Sequence, residues 1–138
     1  MRRSVVGFII AFVILEFSCK SSVTSGDESP KLTSADRTKF VGTWAGSYSC
    51  LGGTPTADTL IIRLGNGALD FSIIIHAMFV NPDTVSGALT GLNVISVPEQ
   101  TMGGFPGTAQ ITLQDSLLAY SQSGFGITCG GPNYRHVP

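Results

Sequence analysis

Between positions 69 and 79 apolar side chains return at every second residue. Leu69, Phe71, Ile73, Ile75 and Phe79 alternate with Asp70, Ser72, Ile74, His76 and Met78. A period of two places the sets on opposite faces of a strand, where a helix would need a period near 3.6. The odd set is therefore expected to build a core. The same reasoning sets Leu60, Ile62 and Leu64 against Thr59 and Arg63, and Trp44, Tyr48 and Cys50 against Thr43, Ser47 and Ser49. Shorter apolar runs follow near residues 85–89, 92–97, 109–113, 117–122 and 125–129, separated by glycine, proline and asparagine. Asn66-Gly67 has the composition of a two-residue hairpin turn, and Asn81-Pro82-Asp83 marks another turn. No part of residues 41–138 sustains a helical period. The expected fold is all-β: a small antiparallel up-and-down β-barrel, or barrel-like meander, of about eight short strands. At that strand number the interior is filled mainly by side chains, with room for one small ligand at most. An immunoglobulin-like sandwich ranks second, because it expects its tryptophan between its two cysteines and Trp44 precedes both Cys50 and Cys129.

The N-terminal third has a different character. Arg2 and Arg3 precede an apolar run at residues 5–17, interrupted only by Glu16, which is too short for a confident membrane span and stands where a signal peptide would. We read residues 1–18 as a signal peptide, 19–40 as a flexible tether and 41–138 as the β-barrel domain. The tether is Ser, Thr, Asp, Glu, Lys and Pro with little to bury, so it cannot offset its ordering entropy. Its span as a random coil is about 25 Å. Near its end Thr33-Ser34-Ala35-Asp36-Arg37 has the pattern of a capped helical turn, expected to pack Leu32 or Phe40 as a lid against the barrel mouth. Docking to a partner is the other reading of that turn.

Export implies an oxidising compartment, where an even pair of cysteines reads as a disulfide. Cys50 lies on the Trp44 face, and Cys129 shares a face with Ile127 and Phe125, so both are expected to point inward and to pair. The bridge spans 79 positions, worth about 4.5 kcal/mol in the chain-entropy model. That is a large share of the stability of a small domain.

Charge and motif content narrow the function classes. Residues 41–138 hold Arg63 and Arg135 against Asp58, Asp70, Asp83, Glu99 and Asp115, a balance with no basic patch for nucleic acid. There is no nucleophile elbow or phosphate loop, and the cysteines and histidines lack zinc-site spacing. We therefore expect no catalytic residues, no metal and no cofactor, and a protein that is not an enzyme. His76 lies in an apolar strand with Asp70 about 20 Å away along it, which suits a hydrogen-bonded structural histidine, and His136 is expected to be solvated in a polar tail. Phe105, in the glycine-rich tip Met102-Gly103-Gly104-Phe105-Pro106-Gly107, is expected to fold back onto the core; the competing reading makes it a contact for a partner or a ligand entrance. Ile74, Met78 and Val80, opposite the main core, are expected to be covered by the helical turn or a neighbouring protomer.

Two resemblances add to this. Ser18-Cys19-Lys20-Ser21-Ser22 resembles the lipobox of bacterial lipoproteins, which implies acylation of Cys19, palmitate included, and a lipid anchor. An ordinary signal-peptide cut after Ser25 is the alternative for the same residues. The stretch Val41-Gly42-Thr43-Trp44-Ala45-Gly46-Ser47-Tyr48-Ser49-Cys50, then Ile95-Ser96-Val97-Pro98-Glu99-Gln100-Thr101, then Ile127-Thr128-Cys129, resembles small Gram-negative lipoproteins with a lipocalin-like β-domain. The Gly42-x-Trp44 element is similar to the first-strand signature of lipocalins, in which the tryptophan plugs the barrel bottom beneath an arginine of the last strand; the resemblance gives that place to Arg135. Gly130-Gly131-Pro132 is expected to interrupt the last strand. The implied function is a lipid-anchored envelope lipoprotein whose barrel is a binding module for a small apolar ligand or a loop-mediated protein partner. The alternative is a structural or interaction component of the envelope with a filled core and no ligand. The expected location is the cell envelope, at the outer membrane of a Gram-negative bacterium, or secreted and periplasmic without the anchor.

Overall fold

A computed structural model describes residues 29–76 and 82–138. The signal peptide, Cys19, the first part of the tether, Met78, Phe79, Val80 and the side chain of His76 lie outside the described residues.

The period-two runs form eight strands: β1 (Gly42–Cys50), β2 (Thr56–Leu64), β3 (Asp70–His76), β4 (Pro82–Gly91), β5 (Val94–Met102), β6 (Phe105–Gln114), β7 (Leu117–Gly124) and β8 (Ile127–Val137). Each pairs antiparallel with the next, and β8 returns to β1, so the sheet is a closed up-and-down barrel without free edges. The expected inward sets are inward: Trp44, Leu60, Ile62, Phe71, Ile73 and Ile75 are buried, facing Val85, Leu89, Ile95, Val97, Ile111 and Leu118 from the other strands. Each such aliphatic or aromatic side chain contributes about 1.5–3 kcal/mol on burial. Leu64 departs from the expectation. It is the last residue of β2, beyond the packed interior, and is half exposed.

Two extra residues reset the alternation. In β5 the pairs Val97 with Ala109 and Gln100 with Gly107 advance three positions on β5 for two on β6. Ile95 and Val97 therefore point inward before Pro98 and Glu99, and Met102 points inward after them. In β8 the same happens against both neighbours, between Gly130 and Arg135 on the β1 side and between Gly131 and Tyr134 on the β7 side. Asn133 there has φ of 68°, a conformation asparagine tolerates better than most residues. The expected interruption at Gly130-Gly131-Pro132 is thus a bulge within a continuous strand. Gly131 is required because a Cβ would collide with the Ser47 carbonyl oxygen.

This bulge overturns the expectation for Arg135. It turns Cys129 inward before it and Tyr134 inward after it, which leaves Arg135 exposed on the outer face. Arg135 consequently does not lie over Trp44. His136 meets Trp44 edge-on with ring centroids 5.1 Å apart; it lies within β8 and not in a loose tail, and it is exposed to solvent as expected.

The barrel end at Trp44 is closed by a 3-10 helix, Ser34–Phe40. The Asp36 carboxylate accepts hydrogen bonds from the Thr33 backbone N–H at 2.8 Å and the Thr33 hydroxyl at 2.7 Å, which starts the helix. Phe40 is completely buried, edge-to-face with Phe71 at 5.8 Å, and its carbonyl accepts from the Trp44 indole N–H at 2.8 Å. Arg37 donates to the carbonyls of Gly67 and Asp70, and Lys39 to Asn93, strapping the helix to two inter-strand loops. Leu32 packs against the core beside it. The lid reading of this segment therefore holds. Between β2 and β3, however, Asn66-Gly67 is not a two-residue hairpin. Neither residue has positive φ, which such a turn needs at both positions, and the connection spans residues 65–69 with the Asp70 carboxylate accepting from the Gly67 N–H at 3.0 Å.

Candidate functional site

Opposite the helix lie the end of β1, the start of β8 and the loops after Cys50, Met102 and Gly124. Cys50 and Cys129 are direct partners across β1 and β8 and are joined by a disulfide, as expected from their number and faces. The neighbouring β4–β5 seam is held partly by side chains. The Gln100 amide accepts from the Ser86 N–H at 2.9 Å and donates to its carbonyl at 2.7 Å, and the Asp83 carboxylate accepts from the Gly103 N–H at 2.9 Å.

At this end large apolar side chains face water. Leu51 is 74% exposed, Phe125 68% and Phe105 50%. Leu51 and Phe125 both have φ of 52°, a left-handed backbone that costs a bulky L-residue roughly 1–2 kcal/mol. Phe125 is thus not inward with Cys129, because the turn carries it out of the strand. Phe105 is not folded onto the core either; it packs edge-to-face on Phe125, with centroids 5.3 Å apart. Below the two rings an apolar cleft of about 260 Å³ is lined chiefly by Met102, Phe105, Pro106, Phe125 and Ile127, with Gln122 among its residues.

Beneath the cleft the interior is polar. Asp58 and Gln122 are 4% and 3% exposed. Asp58 accepts from the Tyr134 hydroxyl at 2.7 Å and from the Thr59 N–H at 2.6 Å, while the Tyr120 hydroxyl donates to the Gln122 side-chain oxygen. The Tyr120 and Tyr134 rings meet edge-on with centroids 6.3 Å apart. Tyr134 lies over Gly46, where a Cβ would approach the ring to 2.7 Å, so a glycine in β1 makes room for it. Burial drives the Tyr120 hydroxyl far above the usual tyrosine range, with the Asp58 charge adding to it. Tyr134 is raised in the same way, by burial first and then by its hydrogen bond to Asp58. Both tyrosines stay protonated donors in neutral solution.

This cluster was not foreseen, although part of its signal is in the sequence. Asp58 has the parity of Leu60 and Ile62, and Gln122 that of Leu118 and Tyr120, so each is a polar residue on a core face. Tyr134 gives no such signal, because its inward direction depends on the β8 bulge. Of the singled-out residues, the structure brings Cys50 to Cys129 and places Phe105 at the open end. His136 is at the other end, remote from the cleft.

A second depression of about 550 Å³ crosses the outer wall between Leu64, Asp70, Ser72, Ser86 and Pro98. It is larger, but its surface is mixed and it lacks the ring-lined apolar wall of the first. Among the described residues no three His, Cys, Asp or Glu side chains form a group that could hold a metal ion. No protein-family model, curated protein or solved structure matches this chain.

Proposed function

We propose that the barrel is a non-catalytic binding module that holds a small apolar ligand in the open-end cleft, in a protein anchored to the cell envelope through Cys19. The observation that carries the binding reading is the Phe105–Phe125 pair standing over the cleft. Both rings are exposed where the fold gains little from them, and Phe125 occupies a backbone conformation unsuited to its type. An unfavourable local conformation at an exposed apolar residue is the kind of outlier that points to function. The volume suits a small ligand. It exceeds the roughly 150 Å³ that admits benzene and falls just short of the roughly 300 Å³ at which drug-sized sites begin.

Titration with a neutral fluorescent naphthylamine tests this. Saturable binding that weakens at least fivefold in Phe105→Ala and Phe125→Ala supports the reading, and no saturable signal overturns it. The anchor rests on the lipobox resemblance and on the long polar segment before the helix. Cys19→Ala is expected to move the protein from the membrane fraction to the soluble one, and unchanged fractionation would remove the anchor from the proposal. Outer-membrane placement follows the same resemblance.

A second reading has its own support. The barrel centre is packed from Phe40 to Ile111 with fully buried side chains, as a structural component of the envelope would be, and the exposed ring pair would then meet a protein partner. Native mass spectrometry of the purified protein separates the two, because a small bound molecule is expected only for the first.

A further inference from the structure

Three hairpins at the open end each carry one large exposed apolar side chain at the tip, and together they suit a surface and not a socket. We infer that this end rests on a lipid bilayer of uncharged or zwitterionic headgroups, with Leu51, Phe105 and Phe125 reaching into its interfacial layer. The docking stands on its own observations. Its consequence, that the cleft takes its apolar ligand from the bilayer and not from water, rests on the binding reading above.

The three side chains form one rim. The Leu51 N–H donates to the Thr128 carbonyl at 3.5 Å, which ties the β1–β2 tip to the β7–β8 hairpin, and Phe125 of that hairpin packs on Phe105 of β5–β6. All three are at least half exposed, and the left-handed turns at Leu51 and Phe125 carry their side chains outward. Protruding rings need a matching pocket in a folded partner, whereas the fluid interface of a bilayer takes them without shape matching. Insertion stops at the tips. Below them the outer wall carries Thr108, Gln110, Ser121, Ser123 and Thr128, all polar and exposed, where a membrane-spanning barrel needs an apolar band.

Charge selects the kind of lipid. The described connections at this end, residues 51–55, 103–104 and 125–126, hold no charged side chain. Asp58, Asp83 and Glu99 lie on the strands below them. The cations of the described residues stand toward the closed end, with Lys31, Arg37 and Lys39 in the segment over it and Arg63 and Arg135 on the closed-end halves of β2 and β8. An anionic surface would therefore find nothing to attract it at the rim, and contact comes from apolar burial, which salt does not screen. The proposed anchor permits this orientation. Thirteen positions separate Cys19 from Leu32, which packs at the closed end, so the chain between them reaches at most about 45 Å. That exceeds the rise of a nine-residue strand such as β1, about 30 Å, and anchor and rim can share one bilayer.

Phe125→Trp, made in the full chain as the cell processes it, tests the docking with phosphatidylcholine vesicles brominated near the headgroup end of their acyl chains. The new indole is expected to shift to the blue and to lose about half of its emission to bromine quenching. Phe105→Trp should report the same, while Trp44, buried beneath the helix at the other end, should be unchanged. Molar salt and admixed phosphatidylglycerol should leave the quenching as it is. Leu51 lies outside the cleft, and adding Leu51→Ser should lower the ratio of quenched to unquenched indole about tenfold, as expected for one leucine withdrawn from apolar contact. An indole that stays unquenched, quenching of Trp44 in its place, or quenching that needs phosphatidylglycerol and low salt would each overturn the inference. So would a blue shift without bromine quenching that grows with protein density, the mark of another protein against the rim. The naphthylamine titration in lipid-free solution tests the binding reading separately. Bromine quenching without naphthylamine binding would leave a docking barrel and remove its ligand, and the reverse would leave a binding module that does not dock.

Discussion

Each end of the barrel carries an edge-to-face phenylalanine pair. Phe40 and Phe71 at the helix end are 5.8 Å apart and fully buried; Phe105 and Phe125 at the other end are 5.3 Å apart and at least half exposed. The ring geometry is nearly the same, and what differs is the cover. At one end a seven-residue helix lies across the strands, strapped by Arg37 and Lys39 and accepting the Trp44 indole hydrogen bond. At the other, two backbone turns lift Leu51 and Phe125 away from the core. Apolar burial stabilises the first end, while the second is tied by a covalent bond and by side chains such as Gln100 and Asp83. The contrast separates rings whose burial stabilises the fold from rings whose exposure contributes little to it.

The largest expected effect comes from removing the covalent tie. Cys50→Ser with Cys129→Ser should lower stability by about 4.5 kcal/mol, read from urea midpoints, since it restores the entropy of a 79-residue loop to the unfolded chain. A loss below about 1 kcal/mol would mean that hydrogen bonds alone hold the open end. Next in size is a direct comparison of the two ring pairs. Phe40→Ala should cost about 3–4 kcal/mol, in the range for emptying a buried aromatic site, whereas Phe105→Ala should cost less than about 1 kcal/mol. Equal losses would erase the distinction between the ends.

Phe125→Gly carries a smaller effect of opposite sign. Glycine accepts a φ of 52° without strain, so the variant is expected to be unchanged or more stable by up to about 1 kcal/mol while losing affinity for apolar probes. Lower stability would show that the ring serves the fold. The smallest effect concerns acid. The Thr33 hydroxyl and backbone N–H hold the Asp36 carboxyl below its usual value of 3.8. A carboxylate with a lowered folded pKa stabilises above its unfolded value and loses that contribution as pH falls through the folded one. Trp44 fluorescence, which reports on the helix through Phe40, should therefore show a loosening of the closed end below pH 3.8 that Asp36→Asn abolishes.

Much of the barrel was legible because strand periodicity is local. Residues 69–75 and 60–62 announce their inward faces without reference to any neighbour, and eight such runs with short connections leave a closed meander as a natural solution. The lid was legible for a similar reason, since Thr33 and Asp36 stand at capping positions ahead of the only large apolar residue in reach, Phe40. Half of the polar cluster could have been read from Asp58 and Gln122 on core parity. The direction of Phe105 could not, because Phe125, its partner, is distant in sequence and turned outward by a backbone angle that no side-chain pattern reports.

By itself, then, the sequence determined the strand count, the inward sets of β2 and β3, the closing helix and the pairing of Cys50 with Cys129, all of which follow from spacing along one segment or from the number of cysteines. Tertiary structure decided the phase of β8. One extra residue between Gly130 and Arg135, accommodated where Gly131 passes the Ser47 carbonyl, exchanges inside for outside over the rest of the strand. It puts Tyr134 against Asp58, His136 against Trp44 and Arg135 in water. A bulge is defined by the offset between two paired strands, and that offset exists only once β8 has met β7 and β1.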